Sequence, residues 1–168
     1  TREEIPAIYR ETKKLNLEQQ EALETILADE GEYLLHGVTG SGKTEVYLTY
    51  AENVIAEGGK LIVLVPEIAL TAQMIHRFAA RFGQRIALWH SRLNPRERQT
   101  EWERIQQGDV DIVLGARSAV FMPLPNLQAI ILDEAHEPAF ASEQSPRYHA
   151  TTIARLRMQE GTLILGSA

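Results

Sequence analysis

Short apolar runs alternate with longer amphipathic stretches along most of this chain. Runs of four to six apolar residues bounded by turn residues read as strands. They predict strands at residues 32–36, 61–65, 85–89, 110–115, 128–132 and 162–165. Helical spacing predicts a helix that starts at Leu15–Leu23 and continues through Ile26 and Leu27 to Asp29-Glu30-Gly31. Further helices are predicted at about 43–57, 69–82, 95–108 and 149–159. Gly58-Gly59 stops the second, and Asn94-Pro95 opens the fourth with an N-cap and a first-turn proline. Leu61-Ile62-Val63-Leu64-Val65 is apolar at every position, the mark of a parallel strand covered on both faces. Strand-helix alternation then predicts an α/β fold with a mostly parallel sheet, helices on both faces and right-handed crossovers. Residues 1–14 are polar and read as a linker or N-terminal extension, with one domain over 15–168. Irregular stretches at about 116–127 and 135–147 are expected at strand ends, where open α/β sheets bind ligands. Trp89 and Trp102 read as core residues.

Composition narrows the picture modestly. The 168 residues suffice for one domain with its own core. The chain runs from Thr1, with no initiator Met, to Ala168 just after an apolar run, so a piece of a longer protein is expected. No stretch reads as a signal peptide or membrane span, and a cytoplasmic origin without membrane partners is expected. With no cysteine, disulfides and zinc-thiolate sites are excluded within these residues. A formal charge of −6 excludes nucleic-acid binding through bulk charge, so any such contact must be local.

The chemistry concentrates at two places. In the first, an apolar strand enters Gly37-Val38-Thr39-Gly40-Ser41-Gly42-Lys43-Thr44-Glu45, and this turn opens a helix. Gly37, Gly42, Lys43 and Thr44 fit the phosphate-loop pattern G-x-x-x-x-G-K-S/T. Glycines free the backbone to aim successive N–H groups at phosphate oxygens, and the helix adds its positive end. Lys43 is expected on the β- and γ-phosphates and Thr44 on Mg²⁺, with the whole run 37–45 lining a nucleotide such as ATP. In the second, Ile130-Ile131-Leu132 delivers Asp133 and Glu134 at a strand end, followed by His136. Asp133 is expected to hold the metal and Glu134 to orient or deprotonate an attacking water. Lys43 and Glu134 are thus the expected catalytic pair, and His136 is expected to couple the site to its surroundings.

These motifs resemble superfamily 2 helicases of the DEAH-box type, with Asp133-Glu134-Ala135-His136 as the acidic box. Further stretches are similar to the primosomal replication-restart DNA helicases. They are Gly37–Tyr47, Leu64–Thr71, His90-Ser91, Gly115–Phe121 and Pro146–Ala150, with Gly166-Ser167-Ala168 as a third motif cut short. The resemblance spans about 15–168 and implies the first RecA-like, three-layer P-loop NTPase lobe of a two-lobed, ATP-dependent 3′-to-5′ helicase. It implies that the sixth strand separates the first from the fifth. It implies a zinc module and a second lobe with an arginine finger further along, so that this lobe alone hydrolyses ATP poorly. Gln19 would read the adenine edge. Pro66, Glu67, His90, Arg117, Ser118, His136, Phe140 and Tyr148 would contact or sense DNA, with Phe140 and Tyr148 as base platforms. Partners implied are single-stranded and forked DNA, single-strand-binding protein and primosome components. The loop after the box departs from the family pattern. Ala135 stands for a Glu, Phe140-Ala141-Ser142 and Pro146 stand where a Tyr-Lys-Gln run and a second aromatic are usual, and Thr151-Thr152 replaces Arg-Asp.

Two other readings remain at this point. One is a non-hydrolysing scaffold that binds forks and recruits partners. The other is a small-molecule P-loop kinase.

Overall fold

The structure, a computed structural model, describes residues 14–36 and 42–167. The first thirteen residues, residue 168 and the loop positions Gly37, Val38, Thr39, Gly40 and Ser41 lie outside the described residues. The expected linker therefore falls outside them, except for Lys14.

Helix α1 (Leu17–Ala28) opens on a reciprocal capping box between Asn16 and Gln19. Strand β1 (Gly31–Leu35) leads to helix α2 (Gly42–Ala56). Strand β2 (Lys60–Leu64), helix α3 (Ala72–Phe82), strand β3 (Ile86–Trp89) and helix α4 (Pro95–Gln106) follow. Asn94 caps α4 through a second capping box, with Pro95 in the first turn as expected. Strands β4 (Ile112–Gly115) and β5 (Leu127–Leu132) are joined through a 3₁₀ turn, Arg117–Phe121. A two-residue hairpin of β6 (Ala141–Ser142) and β7 (Tyr148–His149) precedes helix α5 (Ala150–Arg157) and strand β8 (Thr162–Gly166).

Among the described residues the main sheet has six strands in the order β1-β8-β5-β2-β4-β3, all pairs parallel. The last strand thus enters between β1 and β5, as the resemblance implied. Parallel pairing places every strand's C-terminal end on one edge. There the start of α2 with Lys43, the acidic turn and the other motif loops lie together.

Alternation along β2 explains its unbroken apolar run. Leu61, Val63 and Val65 join the core under α1, α2 and α3, with Val46, Phe78 and Ile131. Ile62 and Leu64 join the opposite core under α4 and α5, with Ile105, Ile130 and Ala154. No position on β2 beyond Lys60 faces water, so no polar residue is tolerated there.

Three expectations are corrected. Helix α3 begins at Ala72, not near residue 69, because Glu67–Ala69 forms a 3₁₀ turn. Thr71 Oγ1 then accepts from Met74 N and caps the helix proper. The 135–147 stretch is not wholly irregular, because the β6–β7 hairpin lies at its end. Trp102 is not a core residue: it is 36% exposed and packs at 6.2 Å on Trp89, which is half-buried against the core under α4 and α5. Arg98 lies over the Trp89 ring, so the pair forms a half-covered surface cluster.

Candidate nucleotide site

Helix α2 brings Lys43 out of the phosphate loop, and β5 ends where Asp133 N donates to Leu64 O. The two segments meet. Lys43 Nζ lies 3.0 Å from Glu134 Oε1 and 3.4 Å from Asp133 Oδ1. Lys43, Thr44 and Asp133 are all buried. An ammonium held between two carboxylates at a helix N-terminus is a pre-formed place for phosphate, since the same charge can turn to an anionic ligand. Thr44 and Asp133 supply hard oxygen donors of the kind Mg²⁺ takes when it shares its ligands with a nucleotide's phosphates. The residues present therefore fit that ion.

Glu134 has φ 51°, an uncommon backbone conformation for a side chain with a Cβ. Two bonds hold the turn: Ala135 N donates to Gly166 O at 3.0 Å, and Glu137 N donates to Glu134 O at 2.9 Å. Strain of this kind persists where surrounding structure over-determines it. His136 is exposed, with Nε2 3.7 Å from Glu134 Oε2 and 3.6 Å from Glu137 Oε1.

Gln19 is buried at the same site rather than lying free on the helix surface. Its Nε2 donates to Gly42 O at 2.9 Å, and its Oε1 accepts from Asn16 N at 2.8 Å. The side chain thus ties the start of α1 to the start of α2. The Glu45 carboxylate is taken up by Arg77 and by Arg81, the latter at 3.0 Å, so it locks α2 to α3.

The other motif residues lie in the loops along this edge. Pro66 is buried, and Glu67 Oε1 accepts from Ser91 N and from Ser91 Oγ. His90 Nδ1 accepts from Arg92 N, and Arg92 Nη2 donates to Leu70 O. The ends of β2 and β3 are thereby laced together. Burial and then the charge of Arg92 push the His90 imidazole below its ordinary range. Arg117 Nη1 donates to the carbonyls of Ala139 and Ala141, and its guanidinium lies over the Tyr148 ring. One arm of its fork therefore braces the loop that follows the acidic box. Ser118 is exposed beside it.

One expected base platform is corrected. Phe140 is fully buried in the core under α5, so no base can stack on it. The 3₁₀ turn Pro138–Phe140 drives the ring inward. Tyr148 is half-buried and meets Phe121 edge-on at 4.9 Å. Phe121, 49% exposed, is the aromatic that the sequence reading passed over.

Two more residues were missed. Tyr47 Oη donates to Asp133 Oδ1 at 2.7 Å, and burial followed by the Asp133 charge pushes its phenol above the ordinary range. Its place four residues after Lys43, on the same helix face, was the available signal. Gly166 packs against both, as a Cβ there would overlap Tyr47 Oη and Asp133 Oδ1.

Residues 16–168 match the family described as DEAD/DEAH box helicase. The chain belongs to the DEAD/DEAH box helicase family. This helicase lobe is 48% identical over 170 residues to "Replication restart protein PriA" of Bacillus subtilis, covering 96% of the chain and 21% of that protein. It is 49% identical over 155 residues to the protein of the same name from Synechocystis sp., covering 89% of the chain and 19% of that protein. The chain spans about a fifth of the length of these relatives. A structure of RecG bound to a three-way DNA junction superposes with TM-score 0.67 at 22% identity, covering 95% of this chain and 22% of that one. That likeness bears on the fold, which is the RecA-like lobe of a helicase. Among the described residues no helix is long and apolar enough to cross a membrane.

Proposed function

We propose that this lobe binds ATP with Mg²⁺ and drives a 3′-to-5′ DNA helicase that acts in replication restart at stalled forks and in primosome assembly. The observation that carries the reading is the meeting of Lys43 with Asp133 and Glu134 at the phosphate-loop helix. The PriA relatives support the replication-restart assignment. On this reading Lys43 turns from the carboxylates to the β- and γ-phosphates and stabilises the charge that develops there. Glu134, freed from the ammonium, orients the attacking water and takes its proton as ADP and phosphate form. Thr44 and Asp133 would hold Mg²⁺, which supplies charge neutralisation on the phosphates. Gln19 would meet the adenine edge by exchanging one of its backbone partners. The backbone of 37–42 would cradle the phosphates.

The edge carrying Pro66, Glu67, His90, Ser91, Arg117, Ser118 and Tyr148 would follow one DNA strand, with His136 linking it to the acidic turn. A second lobe would complete the site with an arginine finger, worth about 10³–10⁵ in rate, so the isolated lobe would turn over slowly. Single-strand-binding protein and primosome components would be its protein partners. A zinc module is expected only in other parts of the complete protein.

The test is ATP hydrolysis by the complete natural protein, with and without forked DNA, beside Lys43→Ala and Glu134→Gln. DNA-stimulated turnover lost in both variants is the expected result. Fork binding without turnover, alike in wild type and variants, would replace the motor with a scaffold. Turnover indifferent to DNA would point to a small-molecule enzyme.

A further inference from the structure

Asp133 is asked to do two things that conflict. Without nucleotide it helps neutralise Lys43, and with nucleotide it must hold its carboxylate towards an ion while that lysine turns away. Both of the contacts described above fall on the same oxygen, Oδ1: Lys43 Nζ at 3.4 Å and the Tyr47 hydroxyl at 2.7 Å. Lys43 and Tyr47 sit one helical turn apart on α2, so one helix face delivers an ammonium and a phenol to one carboxylate. The two partners differ in what they can do next. The lysine carries its charge on a flexible stem and can swing to a phosphate. The tyrosine is 2% exposed in the core beneath the sheet edge, with its ring fixed by packing. The phenol can only donate to a carboxylate, and it stays when the lysine leaves.

The neighbouring strand is shaped around this pair. Gly166 closes β8 beside Asp133, in register with Leu35 at the mouth of the phosphate loop. Any side chain there would overlap the phenol oxygen and press on Asp133 Oδ1. The absence of a Cβ is what lets a tyrosine reach the carboxylate from below. The Gly166 carbonyl remains in use, since it accepts from Ala135 N and fixes the Glu134 turn.

We propose that Tyr47 is a positioning residue for the metal-holding carboxylate: its hydroxyl pins Asp133 Oδ1 through the space left by Gly166 and would keep that carboxylate in place for the ion throughout the nucleotide cycle. Tyr47 touches neither nucleotide nor ion, and it acts through Asp133. The inference rests on the nucleotide-site reading above. Hydrogen bonds of this kind behind a metal ligand commonly change metal affinity by about 10- to 100-fold when removed.

The experiment uses the complete natural protein and a fluorescent N-methylanthraniloyl ATP, titrated in EDTA and at increasing Mg²⁺. Wild type, Tyr47→Phe and Gly166→Ala are compared. Tyr47→Phe keeps the ring and the packing, and Gly166→Ala keeps the phenol but displaces it. Both are expected to raise the half-saturating Mg²⁺ by about 10-fold or more. Nucleotide affinity in EDTA is expected to stay within about two-fold of wild type, because Lys43 and the phosphate loop are untouched. Gly166→Ala should cost less when added to Tyr47→Phe than when added to wild type, since the oxygen it strikes is gone. Thermal melting without nucleotide reports folding separately. An unchanged Mg²⁺ requirement in Tyr47→Phe would overturn the inference and leave the nucleotide site standing. Equal losses with and without Mg²⁺ would show a purely structural role and also overturn it. If wild type itself binds the nucleotide no better with Mg²⁺ than in EDTA, the underlying site reading falls, and this inference falls with it.

Discussion

Glu45 lies inside the nucleotide-binding run by sequence, yet its carboxylate faces α3, and Glu45→Gln separates the two roles. The side chain is 8% exposed, and it neutralises Arg77 and Arg81, whose side chains are 17% and 10% exposed. Removing one partner from a buried ion pair costs about 3–5 kcal/mol, mostly as the penalty on the charge left behind. Here the stranded arginines are not fully buried, and Arg81 keeps Glu52 at 2.8 Å. The expected loss is therefore at or below the lower end of that range, about 2–3 kcal/mol. For a chain of this size that lowers Tm by about 4–12 °C. Urea unfolding followed through Trp89 and Trp102 fluorescence should show an earlier midpoint with an unchanged slope. Binding of a fluorescent ATP, measured well below both melting temperatures, should stay within about two-fold of wild type, because the carboxylate is taken up by Arg77 and Arg81 on α3. A tenfold loss of nucleotide affinity with an unmoved urea midpoint would refute the reasoning and return Glu45 to the nucleotide. Arg81→Met in the Glu45→Gln background should cost less than Arg81→Met alone, since the pair is already broken.

Two further outcomes test the core and the motif edge. Phe140→Ala should destabilise the chain by about 3–5 kcal/mol in denaturant unfolding, as for any large buried aromatic, and leave single-strand affinity unchanged below its melting temperature. A loss of DNA affinity without a loss of stability would show that the ring is a platform after all. The His90 imidazole is depressed by burial and by Arg92, so the unfolded chain binds its proton more readily than the folded one. Stability from this residue is therefore fully present above the ordinary histidine pKa and is lost as pH falls below it towards the folded value. His90→Gln should lose less stability than wild type between neutral pH and mildly acidic pH in urea titrations, and equal slopes would exclude the effect.

Lys43, Asp133 and Glu134 were legible because each motif encodes local geometry: a glycine turn before a helix, and an apolar strand ending in carboxylates. Strand positions were legible for the same reason, as β2 must be apolar on both faces and Asn94-Pro95 can only open a helix. Resemblance carried only the place of the last strand between the first and fifth, and pairing settled the rest of the order, because periodicity says which face is apolar and nothing about which strand lies beside which. The start of α3 slipped by three residues because Thr71 wins the cap over the earlier turn, a competition between two nearby options that differ little in energy. Phe140 was taken for a platform and Phe121 was passed over because an aromatic carries no mark of direction. A single 3₁₀ turn sends one ring into the core, and another leaves the second in solvent. Tyr47, Asp133 and Gly166 lie on α2, after β5 and on β8, so their contact exists only once β8 has entered the sheet beside β5. The sequence determined which residues could do chemistry. The tertiary structure decided which of them meet, because hydrogen bonds and steric exclusion between distant segments depend on a packing that no local pattern specifies.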